Sequence, residues 1–329
     1  AVFNVFFRRP EPAGAMRPVP EGRATSPGAR TVRDLTWVSL LNAFACTECG
    51  RCTDNCHAHE SGTAMDPMHL MMRLRDAVLA RGGTAPSAGA SADGGALSAE
   101  DLFVAVQSPE AIWSCMTCYA CVDGCPVSND HVSKILEMRR DLTARGELSA
   151  SLQGALESLS RYGNSFKVTP KGRGKWAKTN APAILDARKE AVDVLWFVGD
   201  CASYDARCQA LTAGAARVFS RAGLRVGTLQ EGEWNAGNDV RRVGEEGLFE
   251  TLRYHNVDAR KACTFRDVVT TDPHTYNTLK NEYPHENGGR VLPYTELLEE
   301  RIASGSLGFS KRLPYRVTYH DPCYLGRYN

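Results

Sequence analysis

Two patterns of apolar and polar positions divide the chain. Before about residue 150 the apolar residues fall at helical spacing in short stretches, separated by runs of cysteine and small polar residues. A helix is expected to start between Thr31 and Asp34 and to run to Ala45. Asp66-Pro67 supplies an N-cap and first-turn pair for a helix to about Ala80. Ser98-x-x-Asp101 resembles a capping box ahead of a short helix, and Ser108-Pro109 opens another that ends at Trp113. Asp130 is placed to cap a helix whose Val132, Ile135 and Leu136 face one way. Residues 10–30 are rich in Pro, Gly and Arg, and Gly82 to Ala96 reads as a flexible insertion.

From Val192 the pattern changes. Val192–Val198 is a near-continuous apolar run of strand length, followed by a helical stretch from Ala206 to Ala222. Further strands are expected at Leu224–Leu229, Asp267–Thr270 and Arg316–Tyr319, with helices near Gly244–Tyr254, His274–Tyr283 and Tyr294–Ala303. Strands alternating with helices predict an α/β domain with a mostly parallel sheet. The organisation expected is a lead-in over 1–30, a mainly helical domain over 31–150, a polar connector over 151–190 and an α/β domain over 191–329. Within the last, Leu195-Trp-Phe-Val-Gly-Asp-Cys201 recurs weakly as Val317-Thr-Tyr-His-Asp-Pro-Cys323, each placing a cysteine just past a strand's carboxyl end.

Composition narrows the function classes. With 43% hydrophobic residues the chain can build folded cores, and a net charge of +1 gives no sign of a nucleic-acid partner. No apolar run approaches the ~18 residues of a membrane span. Ala1 to Phe7 is largely apolar and runs into Arg8-Arg9. It reads equally as the end of a membrane helix leaving on the positive, cytoplasmic side or as a trimmed end packed on the core. Position 1 is Ala, and the last residues follow closely on an expected strand, so a fragment of a longer protein is expected. Twelve cysteines, clustered and without a visible signal peptide, point to thiolates holding metal in a reducing compartment rather than to disulfides.

Eight of those cysteines form two runs of one spacing. They are Cys46-Thr-Glu-Cys49-Gly-Arg-Cys52-Thr-Asp-Asn-Cys56 and Cys115-Met-Thr-Cys118-Tyr-Ala-Cys121-Val-Asp-Gly-Cys125-Pro126. Such spacing lets three thiolates of a tight loop bind one [4Fe–4S] cubane while the fourth reaches the other cluster. The expected ligand sets are therefore Cys46, Cys49, Cys52 and Cys125 for one cluster, and Cys115, Cys118, Cys121 and Cys56 for the other. Zinc sites seldom compress four cysteines so tightly. Gly50 and Gly124 are expected to let the backbone approach the sulfurs, and His57 stands where Pro126 follows the second run. His57 and His59 read as exposed loop residues. Met65, Met68, Met71 and Met72 read as core, and Trp113 as a shield against water.

Several segments together resemble the heterodisulfide-reductase-like iron–sulfur proteins, whose cysteine-rich domain carries two C…CC-G…C-x-x-C repeats. The segments are Cys46-Thr-Glu-Cys49-Gly-Arg-Cys52, Gly199-Asp-Cys201-Ala-Ser-Tyr-Asp205, Asn238–Phe249, Tyr276–Pro284 and His320–Asn329. The likeness is strongest to the membrane-bound branch passing electrons from electron-transfer flavoprotein to quinone. It implies an α+β multidomain fold, a bacterial-ferredoxin-like two-cluster domain followed by a truncated α/β cysteine-rich domain. In the first repeat Cys201 is followed by Asn235-Ala236 before Gly237, then by Asp272 and Thr275. These are poor ligands for sulfide-bound iron, so this half-site is expected to be empty and Cys201 a buried thiol. Cys323 opens the second repeat, a partial non-cubane cluster site left incomplete here. Cys208 and Cys263 read as small apolar fillers.

The function implied is an oxidoreductase relaying electrons from electron-transfer flavoprotein, or another flavoprotein, through two [4Fe–4S] clusters toward quinone. The resemblance further implies a haem b membrane domain upstream, a non-cubane cluster in the full-length protein and a place at the cytoplasmic face of the cell membrane. No residue is expected to act as general acid or base, and no nucleic-acid partner is expected. The alternatives are the iron–sulfur subunit of a soluble flavin dehydrogenase for glycolate, lactate or glycerol 3-phosphate, a heterodisulfide-reductase-like subunit, or a plain electron carrier.

Overall fold

A computed structural model describes residues 4–5, 16, 28–80, 101–181, 183–284 and 289–329. The chain forms two compact units, one of residues 1–148 with 241–246 and Tyr328, the other of residues 149–240, 247–327 and Asn329.

The first unit is helical. Its elements are α1 (Trp37–Ala45), α2 (Arg51–Asp54), α3 (His57–Glu60), α4 (Pro67–Leu79), α5 (Leu102–Ala105), α6 (Pro109–Ser114), α7 (Ala120–Asp123) and α8 (His131–Ala144). The single helix expected over 31–45 is two pieces. Thr31 and Asp34 form a capping box on a 3-10 turn over Val32–Asp34, and Thr36 then caps α1 through the Ser39 N–H. Asp66 caps α4, Asp101 α5, Ser108 α6 and Asp130 α8, each accepting backbone N–H groups of the first turn. Leu70, Met71 and Leu74 of α4 pack with Leu102, Ile112, Ile135, Met138 and Leu142 in one buried cluster. Met65 and Met71 belong to that core, whereas Met68 and Met72 are only partly buried. Trp113 packs against the core, and the Arg139 guanidinium lies 5.3 Å from its ring centroid. The expected insertion Gly82–Ala96 and residue Ser98 lie outside the described residues, as do most of Ala1–Phe7 and the 10–30 lead-in. Asn4 is described, and it is buried, with its Nδ2 donating to the Val127 carbonyl. Among the described residues no helix is long and apolar enough to cross a membrane.

The second unit opens with a helix where the sequence suggested a polar connector. Ser149 caps α9 (Ala150–Tyr162), and Gly163 ends it in the left-handed conformation. Leu156 and Leu159 of α9 face the core, a short stripe easily read as polar between Ser, Gln and Glu. Then come α10 (Lys175–Asn180), β1 (Leu185–Asp186), β2 (Val194–Phe197), α11 (Asp200–Tyr204), α12 (Ala206–Arg221), β3 (Val226–Thr228), α13 (Asn238–Val243) and α14 (Glu246–Lys261), residues 241–246 being counted with the first unit. β4 (Asp267–Thr270), α15 (Pro273–Asn281), β5 (Val291–Pro293), α16 (Tyr294–Ala303) and α17 (Cys323–Gly326) complete it. Gly244, at φ 98°, separates α13 from α14, so the helix expected from Gly244 starts two residues later and extends to Lys261.

The five strands are all parallel, in the order β1-β3-β2-β4-β5. β2 is buried on both faces, as a continuous apolar run in a parallel sheet should be. Leu195 and Phe197 enter one core, while Val194 and Trp196 enter the other, where Trp196 meets Phe219 and Trp176 edge-on. The chain passes from β2 to β3 on one side and returns to β4 on the other. The carboxyl ends of β2 and β4 thus form the switch point at which open parallel sheets bind ligands. The strand expected over Arg316–Tyr319 is absent: the segment belongs to no sheet, and Leu313, Tyr315, Val317 and Tyr319 stay exposed. Their alternation is strand-like, but a strand needs a neighbour to satisfy its backbone, and none pairs with them among the described residues.

Candidate metal centres

The two cysteine runs fold alike. Cys46 ends α1 and Cys115 ends α6, both in extended conformation. Two residues on, Glu48 (φ 55°) and Thr117 (φ 49°) turn the chain left-handed, and Gly50 (φ 79°) and Tyr119 (φ 69°) do so again before α2 and α7. Cys52 and Cys121 sit inside those short helices, and Cys56 begins α3. Glycine is the expected residue at this left-handed position, and Gly50 fits. Its counterpart is not Gly124 but Tyr119, which holds the same backbone without a glycine's freedom. Gly124 serves another need: a Cβ there would stand 2.6 Å from Asn55 Nδ2, across the packed α2 and α7 loops.

The turns bring the fourth cysteine of each run to the other run's loop. Cys46, Cys49, Cys52 and Cys125 line one small cavity, with Thr47, Glu48, Met68, Asn129 and His131 on its wall. Cys56, Cys115, Cys118 and Cys121 line a second, whose other walls are Ala58, Met65, Pro67, Met116, Tyr119, Val132 and Ile135. His57 and His59 are exposed, though on the short helix α3 rather than a loop.

The thiols carry the electrostatic mark of that grouping. Burial pushes the Cys52 thiol up to about 12, with Cys125 and Cys46 adding to it. Burial raises Cys121 well above the ordinary thiol range, reinforced by Cys115, Cys118 and Cys56. Iron must therefore displace protons from these groups as it binds. Backbone N–H groups already point at sulfur: Thr117 N–H donates to Cys115 Sγ (3.4 Å) and Asn129 N–H to Cys125 Sγ (3.3 Å). Among the described residues no three or more His, Cys, Asp or Glu side chains converge tightly enough for a single metal ion. A tetrahedral zinc draws four sulfurs to roughly 2.3 Å of one point, whereas a cubane spreads them over four irons. Four cysteines line each cavity, the number that one cubane takes.

The second unit holds a cavity of about 790 Å³ at the β2/β4 switch point. Cys201, Asn235, Ala236, Asp272 and Thr275 all line it. Its polar groups are engaged with one another. Asp272 accepts from the His274 N–H, the Thr275 N–H and the Thr275 hydroxyl. Asn235 Nδ2 donates to Asp200, which also accepts from the Ser165 N–H and from Arg173 Nη2 at 2.5 Å. Arg173 Nη1 reaches Glu233, whose carboxylate accepts the Val198 and Gly199 N–H groups at the end of β2. Arg173, Asp200 and Glu233 are all buried, and nothing in the sequence linked residues so far apart in the chain. Cys201 is exposed, not the buried thiol expected, because the turn from β2 into α11 sets it on the cavity wall. Cys208 also lines the cavity rather than filling a core; Cys263 is buried. Cys323 begins α17 with the Arg327 guanidinium 3.3 Å from its sulfur, and it lines none of these cavities.

Residues 42–129 match the family described as the 4Fe-4S dicluster domain. Across nearly its full length the chain is similar to the probable iron-sulfur-binding oxidoreductase FadF of Bacillus subtilis, at 36% identity over 99% of this chain and 51% of the relative. It is 31% identical to the EtfAB:quinone oxidoreductase of Syntrophomonas wolfei, over 100% of this chain and 49% of that protein. A dihydromethanophenazine:CoB–CoM heterodisulfide reductase component of Methanosarcina acetivorans is 27% identical over 90% of this chain and 72% of that protein. The chain thus spans about half the length of the first two. No solved structure matches it.

Proposed function

We propose that this chain, a homologue of the FadF-like and heterodisulfide-reductase-like iron–sulfur oxidoreductases, relays electrons from a flavoprotein of the electron-transfer-flavoprotein kind toward a membrane quinone. The observation that carries the reading is the interlocked pair of cysteine quartets. In it Cys46, Cys49, Cys52 and Cys125 hold one [4Fe–4S] cluster, and Cys56, Cys115, Cys118 and Cys121 the other. Each cluster supplies one-electron transfer, which divides a flavin's electron pair into single steps. The chain's own residues hold the thiolates, aim backbone N–H groups at sulfur and exclude water with Met65, Val132 and Ile135. The half-site at the β2/β4 switch point binds no cluster, because its polar side chains are already spent on each other. In the longer protein, Cys323 would open a non-cubane site, and haem b in a membrane domain would carry electrons on to quinone at the cytoplasmic face.

The donor is tested by mixing the cluster-loaded chain anaerobically with reduced electron-transfer flavoprotein. Bleaching of the iron–sulfur absorbance to the extent that dithionite gives is expected. Bleaching by dithionite alone would exclude this donor.

A further inference from the structure

The two cysteine cavities differ in a residue that the relay does not require. His131, the first residue of α8, lines the cavity of the Cys46, Cys49, Cys52 and Cys125 quartet and is 1% exposed. Its Nδ1 is buried without a hydrogen-bond partner among the described residues. A buried ring nitrogen left unpaired is costly, so a histidine kept here calls for an explanation. An imidazole always carries at least one N–H, so the ring has a proton to donate. The Asn129 carbonyl acts on the ring from one side. On the cavity side stand the four cysteine sulfurs. The second cavity has no counterpart: Val132 and Ile135 of the same helix and Met65 form its wall, with no imidazole.

We infer that His131 donates its N–H to a sulfur of the cluster held by Cys46, Cys49, Cys52 and Cys125, and thereby sets that cluster's potential above the value the thiolates alone would give. The inference rests on the two-cluster reading. A hydrogen bond to cluster sulfur stabilises the more negatively charged, reduced state, and outer-shell donors of this kind tune potential. The cluster in turn gives the buried Nδ1 the partner that the described residues do not provide. His131 is a positioning residue, since it binds no iron.

The test is an EPR-monitored redox titration of the full chain loaded anaerobically with clusters, comparing wild type with His131→Phe and His131→Gln. The expected result is full iron content in all three and a shift confined to one cluster. In His131→Phe that cluster should be reduced with about a tenfold smaller equilibrium constant, or 59 mV for one electron. His131→Gln, which restores an N–H donor, should recover most of the shift. Unchanged potentials at full iron content in His131→Phe would overturn the inference, as they would if the N–H were committed to the Asn129 carbonyl. An equal change at both clusters that Gln does not rescue would also overturn it, by showing a packing effect. A wild-type chain that takes up no sulfide-bound iron would sink the two-cluster reading itself, a failure distinguishable from the others at the first measurement.

Discussion

The cysteine quartets of the first unit and the strand-end cavity of the second are both built where the chain turns sharply, and both gather residues from distant segments. They differ in what their polar atoms are doing. Around the quartets, sulfurs face one another and receive backbone N–H groups, and a buried imidazole nitrogen waits without a partner. At the end of β2 the equivalent groups are closed upon themselves. Asp272 caps its own helix, Asn235 is tied to Asp200, and Arg173 sits between two buried carboxylates. A site that binds a cofactor leaves its donors unsatisfied by protein. The strand-end cavity instead spends its polar side chains on one another.

That contrast can be broken at several points. The largest effect is expected from Cys125→Ser. It should remove the cluster shared with Cys46, Cys49 and Cys52, so its surviving EPR signal should match that of Cys49→Ser. A match with Cys118→Ser instead would show that each run keeps its own cluster. In the second unit, Arg173→Met leaves Asp200 and Glu233 buried without their cation, a change that costs about 3–5 kcal/mol. Chemical denaturation measures it, and a loss below about 1 kcal/mol would mean the network is worth no more than a surface pair. Gly163→Ala places a Cβ 2.3 Å from the Trp234 ring at a φ of 67°, so it should cost about 1–3 kcal/mol by the same assay. Stability equal to wild type would show that the Trp234 contact is slack. The smallest effect belongs to Cys201→Ser. Iron content and both EPR signals should be unchanged, and loss of iron would make the strand-end cavity a metal site after all.

Much of the first unit was legible because its signals are local. Caps such as Asp66 and Asp130 act within one turn, and the spacing of each cysteine run constrains the loop that carries it. The left-handed turn at Tyr119 was not legible, since a tyrosine gives no hint of positive φ; only its alignment with Gly50 reveals it. His131 was missed because nothing in its neighbourhood marks it; its place depends on how α8 meets the first run. In the second unit β2 announced itself as a buried apolar run and β4 was expected as a further strand, but β1 and β5 are too short to stand out. The Arg173–Asp200–Glu233 network joins residues more than 25 positions apart, so no local pattern marks it. The segment 313–319 failed in the opposite sense. Its alternation is genuine, but strand formation is decided by the neighbour.

The central claim is that the eight cysteines hold two cubanes, and anaerobic iron and acid-labile sulfide analysis of the purified chain, read with low-temperature EPR, tests it most directly. About eight irons and about eight sulfides per chain are predicted, with the signal of two magnetically interacting clusters on reduction. One metal ion per quartet without sulfide would contradict it.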